Sequence, residues 1–168
     1  MRGTFCFWAF VRFSELPVGT REDYRERMEF QVTFDANDPV KLADFWQAAL
    51  DYKRDDPPNG FDTWDAFLKE AGVPEEQWND ADAIVPLDGS GPRIYFQKVP
   101  EGKVVKNRVH LDLRAAHGLK DIERMIALER TVFLEGIGAS RVRRIDADGL
   151  NVGSIVMADP EGNEFCLD

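Results

Sequence analysis

Cysteine is scarce in this chain: Cys6 and Cys166 are the only two among 168 residues. Two thiols make no disulfide framework, so a reducing cytoplasmic setting is expected. Positive charge is also short, with 21 Lys and Arg against 31 Asp and Glu and a formal net charge of −10. That deficit argues against nucleic acid and anionic membrane as partners, because both are held by basic surface. No apolar run approaches the ~20 residues of a membrane-spanning helix. The apolar stretch at residues 4–11 lacks the basic start, long core and small-residue cleavage site expected of a secretion signal. What remains is 43% hydrophobic and 31% charged, the balance of a globular chain. The length suits one domain, or two half-domains sharing a core.

Residues 1–27 read as an N-terminal extension, ending in the almost wholly charged segment 21–27. A foldable pattern begins near Met28. Phe30, Val32 and Phe34 alternate with Gln31, Thr33 and Asp35, the period of a strand with one apolar and one polar face. Asp38 is placed to cap a helix whose first residue is Pro39. Leu42, Phe45, Trp46, Ala49 and Leu50 then form one helical stripe. The Pro-Pro-Asn-Gly run at residues 57–60 ends this pattern and opens a helical insertion at about 57–80. There Thr63 caps a helix with Trp64, Phe67 and Leu68, Gly72 ends it, and a second short helix carries Trp78. Strands are expected at 83–87 and 93–99, joined by a turn at 88–92.

The second half restarts the pattern. Val109, Leu111 and Leu113 alternate with His110, Asp112 and Arg114. A helix follows at about 119–135, with Ile122, Met125, Ile126, Val132 and Phe133 on its apolar side, closed by Gly136 and Gly138. Three strands, 140–145, 152–157 and 163–167, complete the chain around turns at 146–149 and 159–162.

The two halves therefore repeat one unit, a strand, a helix and three strands, at about 28–100 and 106–168. Two such units imply an α+β fold: a curved mixed sheet around a cavity, helices outside. The polar alternates Gln31, Thr33, Asp35, His110 and Asp112 would then face inward. This repeat, together with Asn37-Asp38-Pro39 before a Phe-Trp helix, the run Lys106 to Leu113, and Asp159-Pro160-Glu161-Gly162-Asn163-Glu164-Phe165-Cys166, resembles the vicinal oxygen chelate superfamily. The resemblance covers about residues 28–168 and is nearest to its glyoxalase-like domains. It implies paired βαβββ modules enclosing a small-molecule cavity, often completed in a homodimer. The superfamily hosts lyases, isomerases, dioxygenases and drug-sequestering proteins, so fold alone selects no activity.

In metal-dependent members of the superfamily, the first and last strands of each module supply the ligands. Carried over, the first-strand positions fall on Gln31 and His110. The last-strand positions fall on Cys166 and on Tyr95 or Gln97, where metal-dependent relatives usually have a carboxylate. Glu164 shares the face of Cys166 but sits one strand step, ~6.6 Å, away. Two amides, an imidazole and a thiol suit a hard, oxygen-seeking ion poorly. No metal cofactor is expected, and a divalent metal is kept as the lesser alternative.

Within the cavity, His110 is the expected general acid or base for a carbonyl substrate, with Asp112 or Asp35 tuning it. The plain alternative is a half-buried histidine hydrogen-bonded to a neighbour. Gln31 and Gln97 are expected polar anchors, with Thr33, Asp35, Tyr95 and Glu164 beside them as ligand contacts. Arg108 has the planar fork that receives a carboxylate or phosphate. Cys166 reads as a small buried hydrophobe, or as a nucleophile if its pKa is depressed. Trp64, Phe67 and Trp78 stand outside the repeat, as a cover for one cavity mouth or a subunit contact. The expected function is small-molecule binding, with metal-independent isomerase, lyase or dehydratase chemistry. The alternatives are drug sequestration of the bleomycin-resistance type and a metal-dependent lyase or dioxygenase.

Overall fold

The computed structural model describes residues 29–115, 121–148 and 153–168, without the side chains of residues 121–128. The N-terminal extension, His117, and the assignments to Ile122, Met125 and Ile126 lie outside what is described.

Strand β1 (Gln31–Ala36) leads into helix α1 (Pro39–Leu50). Asp38 accepts the Lys41 N–H at 3.4 Å to cap that helix, with Pro39 in its first turn. At the other end Asp51 takes a left-handed conformation, φ 56°, and its N–H returns to the Gln47 carbonyl. This sharp reversal starts β2 (Tyr52–Arg54) at once. A three-residue strand has no periodicity to read, and none is expected there from the sequence. The insertion follows, with α2 (Trp64–Glu70) and a 3₁₀ turn at Glu75–Gln77, and then β3 (Ala81–Pro86) and β4 (Arg93–Lys98). The second half contributes β5 (Asp112–Leu113), α3 (Asp121–Gly136), β6 (Ser140–Ile145), β7 (Ser154–Ala158) and β8 (Glu164–Leu167).

Hydrogen bonding makes the duplication explicit. One sheet has the order β1-β4-β3-β2 and the other β5-β8-β7-β6, the same permutation of first, last, third and second strand. In each, the first strand runs parallel to the last and the remaining neighbours are antiparallel. The mixed sheet thus consists of two four-stranded halves rather than one continuous ladder. The two-residue strand β5 understates its pairing. Cys166 N–H also reaches the Leu111 carbonyl at 2.9 Å, and Asp168 N–H reaches that of Leu113 at 3.1 Å.

Both halves share one core. Leu42, Phe45, Trp46 and Ala49 of α1 pack with Ile84, Ile94 and Phe96 of the first sheet and Met157, Phe165 and Leu167 of the second. Trp46 lies 5.3 Å from the ring centre of Phe34 and 5.3 Å from that of Phe165, touching one aromatic from each sheet. Each such ring contributes on the order of 1.5–3 kcal/mol of burial, so the modules are held mainly through this aromatic seam.

Two assignments are corrected. Val132 and Phe133 are 64% and 43% exposed, and the buried side of α3 carries Thr131 and Leu134 instead. The apolar pair set the wrong phase for the stripe. Phe133 lies under the guanidinium of Arg130, which donates to the Ala49 carbonyl at the end of α1. Val109 is 81% exposed, because the chain joins the sheet only two residues later. The insertion aromatics pack on one another and on local carbonyls: Phe67 against Phe61 and Trp64, Trp64 Nε1 on Asp55, Trp78 Nε1 on Val73. They contribute nothing to the cavity wall described below. Among the described residues no helix is long and apolar enough to cross a membrane.

Candidate functional site

A cavity of about 620 Å³ lies where the modules meet. Its walls are Val32 to Asp35 of β1, the connector at residues 99–111, and the turn before β8. Three carboxylates with different tasks hold these walls. Glu161 reaches across the modules and accepts the backbone N–H groups of Asn37 and Asp38, at 2.7 and 2.8 Å. These are donors just ahead of α1, where a carboxylate is favoured. Asp159, 3% exposed, accepts Trp46 Nε1–H at 3.1 Å and the N–H groups of Glu161 and Asn163. Its burial pushes the carboxyl pKa up, and these hydrogen bonds partly restore it. Glu164 accepts the Asn107 N–H and the Lys103 ammonium, both at 3.0 Å. The backbone bond from Asn107, aided by Lys103, holds its pKa down at about 2. Glu164, expected to touch ligand, lines the cavity and also tethers the connector.

On the first sheet, the parallel register sets Gln31 beside Arg93, Thr33 beside Tyr95 and Asp35 beside Gln97. Partners so placed share a face, and they use it. Gln31 Oε1 accepts from Arg93, and Asp35 accepts from Gln97 Nε2 at 2.7 Å. Arg93 in turn bonds Asp55 and stacks over Tyr95. Of this row, Thr33 and Asp35 line the cavity; Gln31, Tyr95 and Gln97 do not. Arg93 was missed, although its parity with Tyr95 and Gln97 announced the shared face.

The second module brings three site residues together. His110 Nδ1 lies 3.1 Å from Asp112 Oδ1 and 3.8 Å from Cys166 Sγ, and Asp112 and Cys166 are register partners. All three donor atoms fall within 4.8 Å of one another. His110 and Arg108 face the cavity, while Asp112 and Cys166 stand beside His110 outside its wall. With Nδ1–H donating to Asp112, the Nε2 of His110 is left as the basic nitrogen. The Cys166 thiol is pushed above its ordinary 9.0 by burial first and by the Asp112 charge second. It stays a thiol at neutral pH, the opposite of what nucleophilic chemistry needs. Lys103, Asn107, Glu161 and Asn163 also wall the cavity. No local sequence signal gave Lys103 and Asn107 these roles, which depend on Glu164 some 60 residues away.

The family model described as Glyoxalase-like domain matches residues 31–167. The chain belongs to this family, within the vicinal oxygen chelate superfamily. None of the curated proteins matches it.

Solved structures share the fold. A glyoxalase/bleomycin resistance protein/dioxygenase family enzyme from Burkholderia phytofirmans superposes with a TM-score of 0.54 at 13% identity, over 82% of this chain and 94% of that one. The fosfomycin resistance protein FosX from Mesorhizobium loti gives 0.52 at 11% identity, over 84% and 90%. A mutant FosX from Listeria monocytogenes, complexed with Mn(II) and 1S,2S-dihydroxypropylphosphonic acid, gives 0.52 at 13%, over 82% and 85%.

The Mn(II) in that relative raises the question of a metal here. The available cluster is one imidazole, one carboxylate and one thiol. Manganese(II) prefers oxygen-rich ligands, and a thiol is a poor member of such a set. The donors present do not fit that ion.

Proposed function

We propose that the chain binds a small organic molecule in the cavity between its modules and acts on it by proton transfer, without a metal. The observation that carries this reading is His110 on the wall of a cavity of ligand size, hydrogen-bonded to Asp112 beside it. Asp112 fixes the tautomer and orientation of the ring, and His110 Nε2 takes or returns a proton next to a carbonyl or hydroxyl group. Thr33 and Asp35 offer hydrogen bonds from the other module. Isomerisation, elimination of a leaving group and dehydration all fit such a base. A screen of small aldehydes, ketones and hydroxy acids, with product analysis, tests the proposal. His110→Ala should lower turnover of any substrate found by about 10²–10⁴-fold while leaving binding within tenfold. Undiminished turnover would remove His110 from the chemistry, and unchanged compounds after long incubation would favour sequestration.

A second reading has its own observation. The clustered His110, Asp112 and Cys166 donors suit zinc better than manganese, since zinc accepts sulfur and nitrogen ligands. Elemental analysis decides it: stoichiometric zinc, absent from His110→Ala, would replace the metal-free reading.

The partner we propose is a second copy of the chain. Val104, Val105 and Val109 are 91%, 72% and 81% exposed on the connector, continuous with the cavity rim. A symmetric dimer would cover them. Sedimentation of the protein and of Val104→Asp and Val109→Asp variants tests this, a monomer throughout being the contrary result. A cytoplasmic location accords with Cys166 being a free thiol.

A further inference from the structure

The Pro-Pro-Asn-Gly run between β2 and the insertion ends in a turn. Phe61 N–H reaches the Pro58 carbonyl at 3.2 Å, and Gly60 between them has φ 99°. A positive φ at the third residue of such a turn calls for glycine, so the turn explains Gly60. It does not explain what the preceding Asn59 is exposed to.

Asparagine is a thermally labile residue. Its side-chain carbonyl carbon lies within five-membered-ring reach of the next backbone nitrogen, and glycine places no Cβ in the way. In a folded chain the reaction needs a carboxamide free to turn, an unbonded N–H after it, and open space. Asn59 and Gly60 are both exposed. Among the described residues, neither the Asn59 carboxamide nor the Gly60 N–H makes a hydrogen bond. A Cβ placed on Gly60 would meet nothing within 4 Å.

Comparable positions lack this combination. Asn37 donates to Glu161 at 3.2 Å, Asn79 to Asp38 at 2.9 Å and Asn163 to Asp159 at 2.9 Å. Asn107 precedes Arg108, whose side chain crowds the nitrogen. Asp88 precedes Gly89 in a turn, but its carboxylate accepts the Ser90 N–H at 2.9 Å and the Ser90 hydroxyl at 2.7 Å. Those bonds lower its pKa and keep it an anion, which has no leaving group to expel.

We propose that Asn59 is a spontaneous modification site of the folded protein, converted through a cyclic imide to aspartate and isoaspartate. The Gly60 nitrogen gives its proton to solvent base and bonds to Asn59 Cγ, the Cγ–Nδ2 bond breaks, and ammonia leaves. Water then opens the ring. Cleavage at Cγ leaves aspartate; cleavage at the main-chain carbonyl leaves isoaspartate, with the backbone now running through Cβ and Cγ. Water is the only co-reactant.

The product alters the base of the insertion. Isoaspartate lengthens the main chain just before Phe61, and its carboxylate joins Asp55, Asp56, Asp62 and Asp65. Helix α2 buries no residue. It is tied back by Trp64 Nε1 on the Asp55 carbonyl at 2.8 Å and by the Phe61–Phe67 ring contact, so the modified form holds the insertion more loosely.

Incubation of the full chain in mildly alkaline buffer, with tryptic mapping and labelling by an isoaspartyl methyltransferase, tests this. Label should appear in the peptide of residues 55–69, with ammonia released. Its rate should lie within about tenfold of that of the same peptide free in solution. Asn59→Gln, which would need a six-membered ring, should lower the label in that peptide at least about tenfold. The peptide of residues 70–93, which holds Asp88, should stay unlabelled. Chymotrypsin should cut the labelled fraction within residues 61–78 faster than the unlabelled one; equal cutting would contradict the loosening. A folded-chain rate more than about tenfold below the free peptide would show that the fold protects Asn59 and would overturn the proposal. Label undiminished in Asn59→Gln would overturn it as well.

Discussion

The indole of Trp46 donates to the buried carboxylate of Asp159 across 3.1 Å, joining residues 113 positions apart and on different modules. Trp46 also forms part of the cavity wall, so the bond that joins the halves sets the floor of the site. Asp159 carries the larger share of this joint. Asp159→Ala strands the donors of Trp46, Glu161 and Asn163, at about 1–3 kcal/mol for each one left buried and unpaired. Asp159→Asn keeps one acceptor oxygen for these donors and should lose less. Urea unfolding of both variants should rank them in that order.

The same carboxylate makes stability depend on pH in an identifiable direction. Burial raises the Asp159 pKa above 3.8, so the folded state holds this proton more tightly than the unfolded chain. The associated stability is fully present below the unfolded value and fades as pH rises through the folded one. The stability of the protein relative to Asp159→Asn should therefore be greatest near pH 3.5 and decline toward neutrality.

Glu164 behaves oppositely. Its pKa is lowered from 4.5 to about 2, so its stabilising tether is present above 4.5 and lost as pH falls through about 2. Denaturant midpoints of the protein and of Glu164→Gln should differ most above pH 4.5 and converge toward pH 2. Protease cleavage within residues 99–106 should be faster in the variant at pH 7.

The rotated face of α3 gives a packing prediction. Leu134→Ala should cost about 2–5 kcal/mol, the usual range for a buried leucine, whereas Val132→Ala should stay within roughly 0.5 kcal/mol, as exposed sites do. Equal losses at the two positions would restore the phase read from sequence.

The thiol of Cys166 should be slow. In a Cys6→Ser background, iodoacetamide labelling should reach half its maximal rate only above pH 9, following the raised pKa.

Much of the fold was legible because its signals are local. The alternation in Gln31 to Ala36, the Asp38-Pro39 cap and the Phe45-Trp46 stripe each state their element within a few residues, and the repeat then supplies the topology. β2 was not legible, because a left-handed Asp51 starts it rather than any strand-forming run. The phase of α3 failed because Val132 and Phe133 are apolar yet exposed, while a threonine takes the buried place. The site was readable in part: parity placed His110 and Asp112 on one face and the resemblance placed Cys166 with His110, but the uses of Glu164, Gln31 and Gln97 depend on partners brought near only by folding.

Crystals soaked with a library of three- to six-carbon carbonyl and hydroxy compounds would test the central claim most directly. Density between Thr33, Asp35 and His110, with a ligand oxygen within 3.2 Å of His110 Nε2, is the predicted result. Ligands that bind only elsewhere, leaving His110 bonded to Asp112 and otherwise untouched, would contradict it.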